Sequence, residues 1–246
     1  MDGKHIRIMC PNKSGSHFFN YKKFHSIVLF AVVDAHYKFL YVNVGCQGRN
    51  SDGGVFANTT FGKTIINKTL HIPPVEPLLH RERNTPYVLV ADDAFPLSEN
   101  IIKPYSCDLN RGSPKRVCKY RISRARRVVE NVFGLLSSVF RIFHTSFELE
   151  VETVKCATLA TCYLHNFLRR NKRARQLYTP PATFDMEDTD FNLIPGQWRQ
   201  NYDPDDLINL ENRPRNASVI AKLNRDEFMH YFMSQLGSVP WQSAYL

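Results

Sequence analysis

The six cysteines of this 246-residue chain (Cys10, Cys46, Cys107, Cys118, Cys156 and Cys162) are scattered, and no CxxC pair occurs among them. That spacing argues against a zinc ribbon and, in a reducing compartment, against a disulfide scaffold. No apolar run reaches membrane-spanning length, and the charged start "MDGKHIRIMCPNK" lacks the apolar stretch of a signal peptide. An intracellular protein is expected. Internal repeats and low-complexity tracts are missing too. Hydrophobic content of 43% with 12% aromatics excludes wholesale disorder and allows one full core, or one core with an appendage.

Positive charge is present in excess, and it is concentrated. Residues 103–175 hold sixteen Lys and Arg against five Asp and Glu, whereas residues 176–246 hold five against ten. A basic block of this kind is the usual footprint of a phosphate-backbone partner. The plain alternative is a solvated helix face.

The periodicity orders the chain. "KHIRIM" puts Ile6 and Ile8 on one face, and "HSIVLFAVVD" and "KFLYVNVG" read as an antiparallel hairpin turning near Asp34 and Ala35. A short helix is expected in "VFANTTFGKTII", capped by Ser51 or Asp52. "YVLVA" at residues 87–91 reads as a strand covered on both faces, followed by helix or loop to Tyr105 and a polar connector. Ser123 is the expected cap of a strong helix whose apolar stripe runs from Val128 to Phe140, and "VETVKCATLATCYLHNFLRR" is a second. A linker, an acidic turn-rich stretch and a last helix from Ser218 to about Leu236 follow. This order gives an α/β fold of ribonuclease-H-like layout: a mixed sheet, made of an antiparallel three-stranded meander plus parallel strands, flanked by helices. The expected division is a domain over residues 1–172 and a linker with an acidic helical extension over 173–246.

The 87–91 strand ends in Asp92 and Asp93. Two adjacent carboxylates repel each other, and burying either is costly unless a positive group compensates. A solvated turn is the plain reading. The sharper one is part of a divalent-metal site, which needs partner carboxylates; Asp2 on the first strand and Glu130 on the strong helix are the candidates. Glu130 is the only acid between Asp108 and Glu148, and its plain alternative is a salt bridge to Arg126 one turn away. Asp34 reads as a turn former, Asp52 as a helix cap or a group behind the metal ligands, and Asp93 as a substitute for Asp92 if the strand shifts by one residue. His165, Asn166, Trp198 and Trp241 read as structural.

Five stretches together, "DGKHIRIMCP", "KKFHSIVLFAVVDAHYKFLYVNVGCQGRNSDGGVF", "YVLVADDAFPL", "RRVVENVFGLLSSVFRIF" and "CYLHNFL", resemble in order and spacing the PIF/Harbinger superfamily of DDE transposases, especially its transposase-derived nuclease group. The resemblance covers roughly residues 1–170. It implies a triad of Asp2, Asp92 and Glu130 holding Mg²⁺ or Mn²⁺, with carboxylates converging within about 8 Å. It implies metal-dependent cleavage or transfer of DNA phosphodiesters, with Lys115, Lys119, Arg124 and Arg127 holding the backbone. A separate DNA-binding partner protein, a nuclear location with the cytoplasm as a second, and no membrane association fit the same picture; oligomeric state stays open. A domesticated or decayed transposase, catalytically idle and binding DNA or protein, is the alternative. The sequence departs from the family pattern at Ser51, where a histidine is usual. It starts one residue before Asp2, so a truncated first strand without an N-terminal helical DNA-binding segment is expected.

Affinity carried by the 103–175 block is expected to fall steeply with salt and to show little sequence preference, because backbone contacts release counterions and read no bases. An anisotropy titration from low to moderate salt checks this. A flat response would remove the block as the contact surface.

Overall fold

The stretch "DGKHIR", buried on both faces, and the unbroken apolar run "SIVLFAVV" build the first two strands of the computed structural model, which describes residues 1–50, 52–106, 110, 112–189, 192–203, 207–209 and 217–245. The chain forms two compact units, Met1–Thr59 with Arg127–Glu211 and Thr60–Arg126 with Asn212–Leu246. Residues after 172 therefore contribute to both units. Ser51, one of the two expected caps, lies outside the described residues, as does the side chain of Asp52.

In the first unit, β1 (Asp2–Arg7), β2 (Ser26–Val33) and β3 (Phe39–Gln47) form the expected antiparallel meander. Asp34 closes the β2–β3 turn: its Oδ1 accepts from the His36 and Lys38 amides at 2.8 and 2.9 Å, which is the turn role expected of it. After α1 (Asp52–Asn58), the second unit takes up α2 (Thr60–Ile66), β4 (Glu76–Pro77), β5 (Asn84–Thr85), β6 (Leu89–Val90) and β7 (Ile101–Ile102). The single helix expected in "VFANTTFGKTII" is thus two, and the Thr59 hydroxyl donates to the Phe56 carbonyl at 2.7 Å where the first ends.

The strand expected over 87–91 is only Leu89–Val90, half-buried, and Tyr87 is exposed. Its partner is β7, parallel to it, in a stretch read from sequence as helix or loop. Pro86 can donate no ladder bond, which helps to keep the strand short.

The long helix α3 (Pro114–Val139) starts nine residues before the expected cap at Ser123. Proline fits a first helical position because its missing N–H would have no partner there. Val139 ends the helix and is exposed, so it drops out of the expected stripe, while Val129, Val132, Phe133 and Leu136 are buried. These four join Ile6, Ile27, Leu29, Ala31 and Phe39 in the core of the first unit. On the opposite face of β2, Phe30 meets Phe56 of α1 edge-on at 6.0 Å between centroids.

Helix α4 (Val151–Arg170) matches its expected span. The Asn166 side chain clamps Phe39, accepting from its N–H and donating to its carbonyl, each at 2.9 Å. The expected linker is a helix, α5 (Lys172–Tyr178), held at its start by Asn171 Oδ1, which accepts from the Arg173 and Ala174 amides. A small hairpin, β8 (Met186–Glu187) with β9 (Leu193–Ile194), leads to a 3₁₀ turn at Gln197–Gln200. Then β10 (Leu207–Asn209) runs antiparallel along the free edge of β1, giving sheet order β10-β1-β2-β3. This sheet is antiparallel throughout, and the parallel pair β6–β7 belongs to the second unit.

The second unit is closed by α6 (Val219–Met233), capped by Ser218. Its Met229 joins Ile102, Tyr105, Cys118 and Ile122 in a core cluster, and Glu227 pairs with Arg81 at 2.6 Å. No helix among the described residues is long and apolar enough to cross a membrane.

His165 is fully buried in the first unit, between the Tyr37 carbonyl at 2.6 Å and the Tyr178 hydroxyl at 2.9 Å. Burial, aided by the Arg169 charge, lowers its pKa from 6.5 to about 4 against the raising effect of the Tyr37 bond. The unfolded chain thus binds a proton at higher pH than the folded one. Stability present above pH 6.5 is lost as pH falls toward about 4, by on the order of 3 kcal/mol for this one group. Thermal melts of wild type and His165→Gln over that window check the sign: the variant, though less stable at neutral pH, should lose less on acidification.

Candidate active site

Period-two geometry puts Asp2, Lys4 and Ile6 on the face of β1 that meets α3. Asp2 is 4% exposed, its Oδ1 accepts from the Gly3 amide at 2.8 Å, and its Oδ2 stands 4.0 Å from Lys4 Nζ. The Lys4 ammonium also lies over the Phe133 ring, 5.9 Å from its centroid. Buried charge of one sign is tolerable here because the other sign is buried with it. Lys4 sits two residues after Asp2, so strand alternation alone could have brought it into the candidate set.

Glu130 is half-buried on α3 and lines a cavity of about 190 Å³ with Lys4, Phe133, Trp198, Arg199 and Tyr202. Three of these come from the 198–202 stretch, read from sequence as part of a tail of acidic and turn-rich character with Trp198 as a structural residue. Gly134 lets that stretch approach: a Cβ there would lie 2.1 Å from Trp198 Cε3. Asn131 holds it in place, its Oδ1 accepting from the Trp198 indole at 2.8 Å and from the Asp185 amide at 3.1 Å.

Asp185 anchors Arg199. The guanidinium donates through Nε and Nη2 to the two carboxylate oxygens at 2.8 and 2.6 Å, and the Gly196 amide adds a third bond at 2.8 Å. Burial alone would raise the Asp185 pKa, but the Arg199 and Gly196 bonds and the nearby cations outweigh it and leave it below the usual carboxylate range.

Asp92 belongs to the second unit. Its Oδ1 accepts from the Asp93 amide at 2.7 Å and lies 3.8 Å from Arg126. Asp93 is turned to Lys103, which reaches its carboxylate at 3.2 Å and donates to its carbonyl at 2.6 Å. That pairing gives Asp93 a structural partner of its own.

The four cations chosen for DNA contact all lie on α3. Lys115 is exposed and sits 5.5 Å from the Tyr105 ring centroid, while Lys119 is half-buried. Arg124 lies over Trp241 at 4.1 Å, and Arg127 donates to Glu187 at 3.0 Å.

Asp2, Asp92 and Glu130 offer hard oxygens, the donor type that Mg²⁺ and Mn²⁺ prefer. Asp2 already accommodates a cation, the Lys4 ammonium, beside it. In donor chemistry the three residues fit such an ion. Among the described residues, no three His, Cys, Asp or Glu side chains stand together as a metal-holding cluster.

Residues 1–166 match the family of DDE superfamily endonucleases. The chain belongs to that family. The matched span contains Asp2, Asp92 and Glu130, and ends before Asp185, Trp198, Arg199 and Tyr202. No curated protein and no solved structure matches the chain.

Trp198 is 6% exposed and braces Glu130's side of α3. Trp198→Ala should destabilise the chain by about 3–5 kcal/mol, as loss of a buried indole does. Asn131→Ala should cost less but in the same direction, by orphaning two donors. Denaturant unfolding checks both. Two midpoints equal to wild type would show that the 198–202 stretch is not held as described.

Proposed function

We propose that this chain is a metal-dependent DNA nuclease of the PIF/Harbinger kind, acting on phosphodiester bonds. The observation that carries the reading is the family match, which spans all three candidate carboxylates. The fold proposed for the whole is ribonuclease-H-like, with β6 and β7 as the parallel strands of that layout and an acidic C-terminal extension.

Asp2, Asp92 and Glu130 would hold Mg²⁺ or Mn²⁺, which when bound activates a water or a 3′-hydroxyl and stabilises the leaving oxygen. The chain's own part is electrostatic and positional. Asp2 is held by the β1 backbone, Glu130 is set by the packed face of α3, and Lys4 keeps the buried charge of Asp2 balanced. Lys115, Lys119, Arg124 and Arg127 are proposed to hold the DNA backbone, and the positive balance of residues 103–175 supports that assignment. DNA in the nucleus is the proposed substrate, with a separate DNA-binding protein supplying site choice.

Nicking of supercoiled plasmid in Mg²⁺ or Mn²⁺ tests this. Asp2→Asn, Asp92→Asn and Glu130→Gln should each lower the rate at least about 100-fold, the equivalent of a few kcal/mol of lost transition-state stabilisation. Chelation should abolish it. Nicking unchanged in all three variants would sink the triad, and DNA binding by wild type without any nicking would favour the idle module instead.

A further inference from the structure

The cavity beside Glu130 has a composition that the triad alone does not explain. Two cationic side chains, Lys4 and Arg199, and three aromatic ones, Phe133, Trp198 and Tyr202, line it together with the candidate carboxylate. Trp198, Arg199 and Tyr202 of that lining come from beyond the 1–166 span that matches the family. We propose that this cavity is a nucleotide subsite, in which Lys4 and Arg199 grip one phosphate of a DNA strand and Tyr202 offers its ring to the adjoining sugar or base. The proposal rests on the nuclease reading and adds residues to it.

Each part has a physical reason. Lys4 is 7% exposed, so its charge acts in a poorly screened place and falls off less with salt than a surface lysine's. Arg199 is already oriented: Asp185 takes Nε and Nη2, which fixes the guanidinium plane. The same guanidinium lies 4.3 Å from the Trp198 ring, so it cannot swing away without losing both contacts. Planar, pre-oriented guanidinium suits phosphate better than a flexible ammonium. Tyr202 is half-buried, edge-on to Trp198 at 5.1 Å, with its hydroxyl donating to the Leu207 carbonyl at 3.3 Å. Trp198 and Phe133 are buried in the packing, whereas half-buried Tyr202 keeps part of its surface on the cavity.

Size fits the same ligand. About 190 Å³ is many times the space one ordered water needs, and it can take a phosphate with part of its sugar. A base unpaired at a nick, a frayed end or a displaced strand is the form that can present its face to Tyr202. Aromatic rings hold such strands with little regard for sequence.

The test uses the full chain in Mg²⁺ with a short single-stranded oligonucleotide carrying 5-iodouracil, irradiated and mapped by mass spectrometry. Crosslinks on the peptide that holds Trp198 and Tyr202 are expected. Tyr202→Ala should reduce their yield and weaken oligonucleotide binding about 5-fold or more; its own melting curve shows whether it folds. Crosslinks confined to other peptides, with plasmid nicking intact, would overturn the subsite and leave the nuclease reading standing. Failure of the wild type both to bind the oligonucleotide and to nick plasmid would overturn both.

Discussion

One amide oxygen organises the candidate site. Asn131 Oδ1 sits on α3 directly after Glu130 and accepts two bonds, from the Trp198 indole and from the Asp185 amide. Both donors would be costly to bury unpaired. With them satisfied, the indole lies so close to Gly134 that no side chain could stand there. Asp185 in turn fixes Arg199, and Glu187 on the following hairpin takes Arg127. The chain beyond α5 is thereby tied to the helix turns on either side of Glu130, and β10 completes the tie by closing the edge of β1 that carries Lys4.

Electrostatically each unit is balanced by pairs. Asp2 faces Lys4, Asp185 faces Arg199, Glu187 faces Arg127, and in the second unit Asp92 faces Arg126 and Asp93 faces Lys103. Several of these groups are buried deeply enough that breaking a pair would leave an expensive lone charge. An excess of cations along residues 103–175 is thus partly spent inside the fold. What the basic block offers a polyanion depends on which heads remain in solvent, and Lys115 is the exposed one among the four chosen.

Much of this was readable from residues alone. The β2–β3 hairpin, α4 and α6 announced themselves through apolar runs, stripes and caps, signals that arise within a few turns of chain. The start of α3 was misread because "GSPKR" looks like a connector, although proline is well suited to a first helical position. Helix α5 buries none of its side chains, so it has no stripe to show and depends on its Asn171 cap. The strands β7 and β10 are two and three residues long, too short for alternation to register. At the site, residue type and order made Asp2, Asp92 and Glu130 the candidates. The contribution of Trp198, Arg199 and Tyr202 could not be read that way, because it comes from contacts across more than sixty residues of chain that leave no local periodic trace. Gly134 was the nearest clue: a glycine in the middle of a strong helix marks a close approach, without saying by what.

The pairing of Lys4 with Asn209 joins residues about 200 positions apart. During synthesis at roughly 5–20 residues per second, β1 would wait some tens of seconds for that partner. Through that interval its outer edge presents open amides and carbonyls, the template on which one chain pairs with another. Two features soften the hazard: the edge is only six residues long, and it carries charge at Asp2, Lys4 and Arg7. A nascent chain held at this stage has a meander whose two borders, β1 and β3, are both open, and β10, the last strand of this sheet to be made, covers the middle of the β1 border.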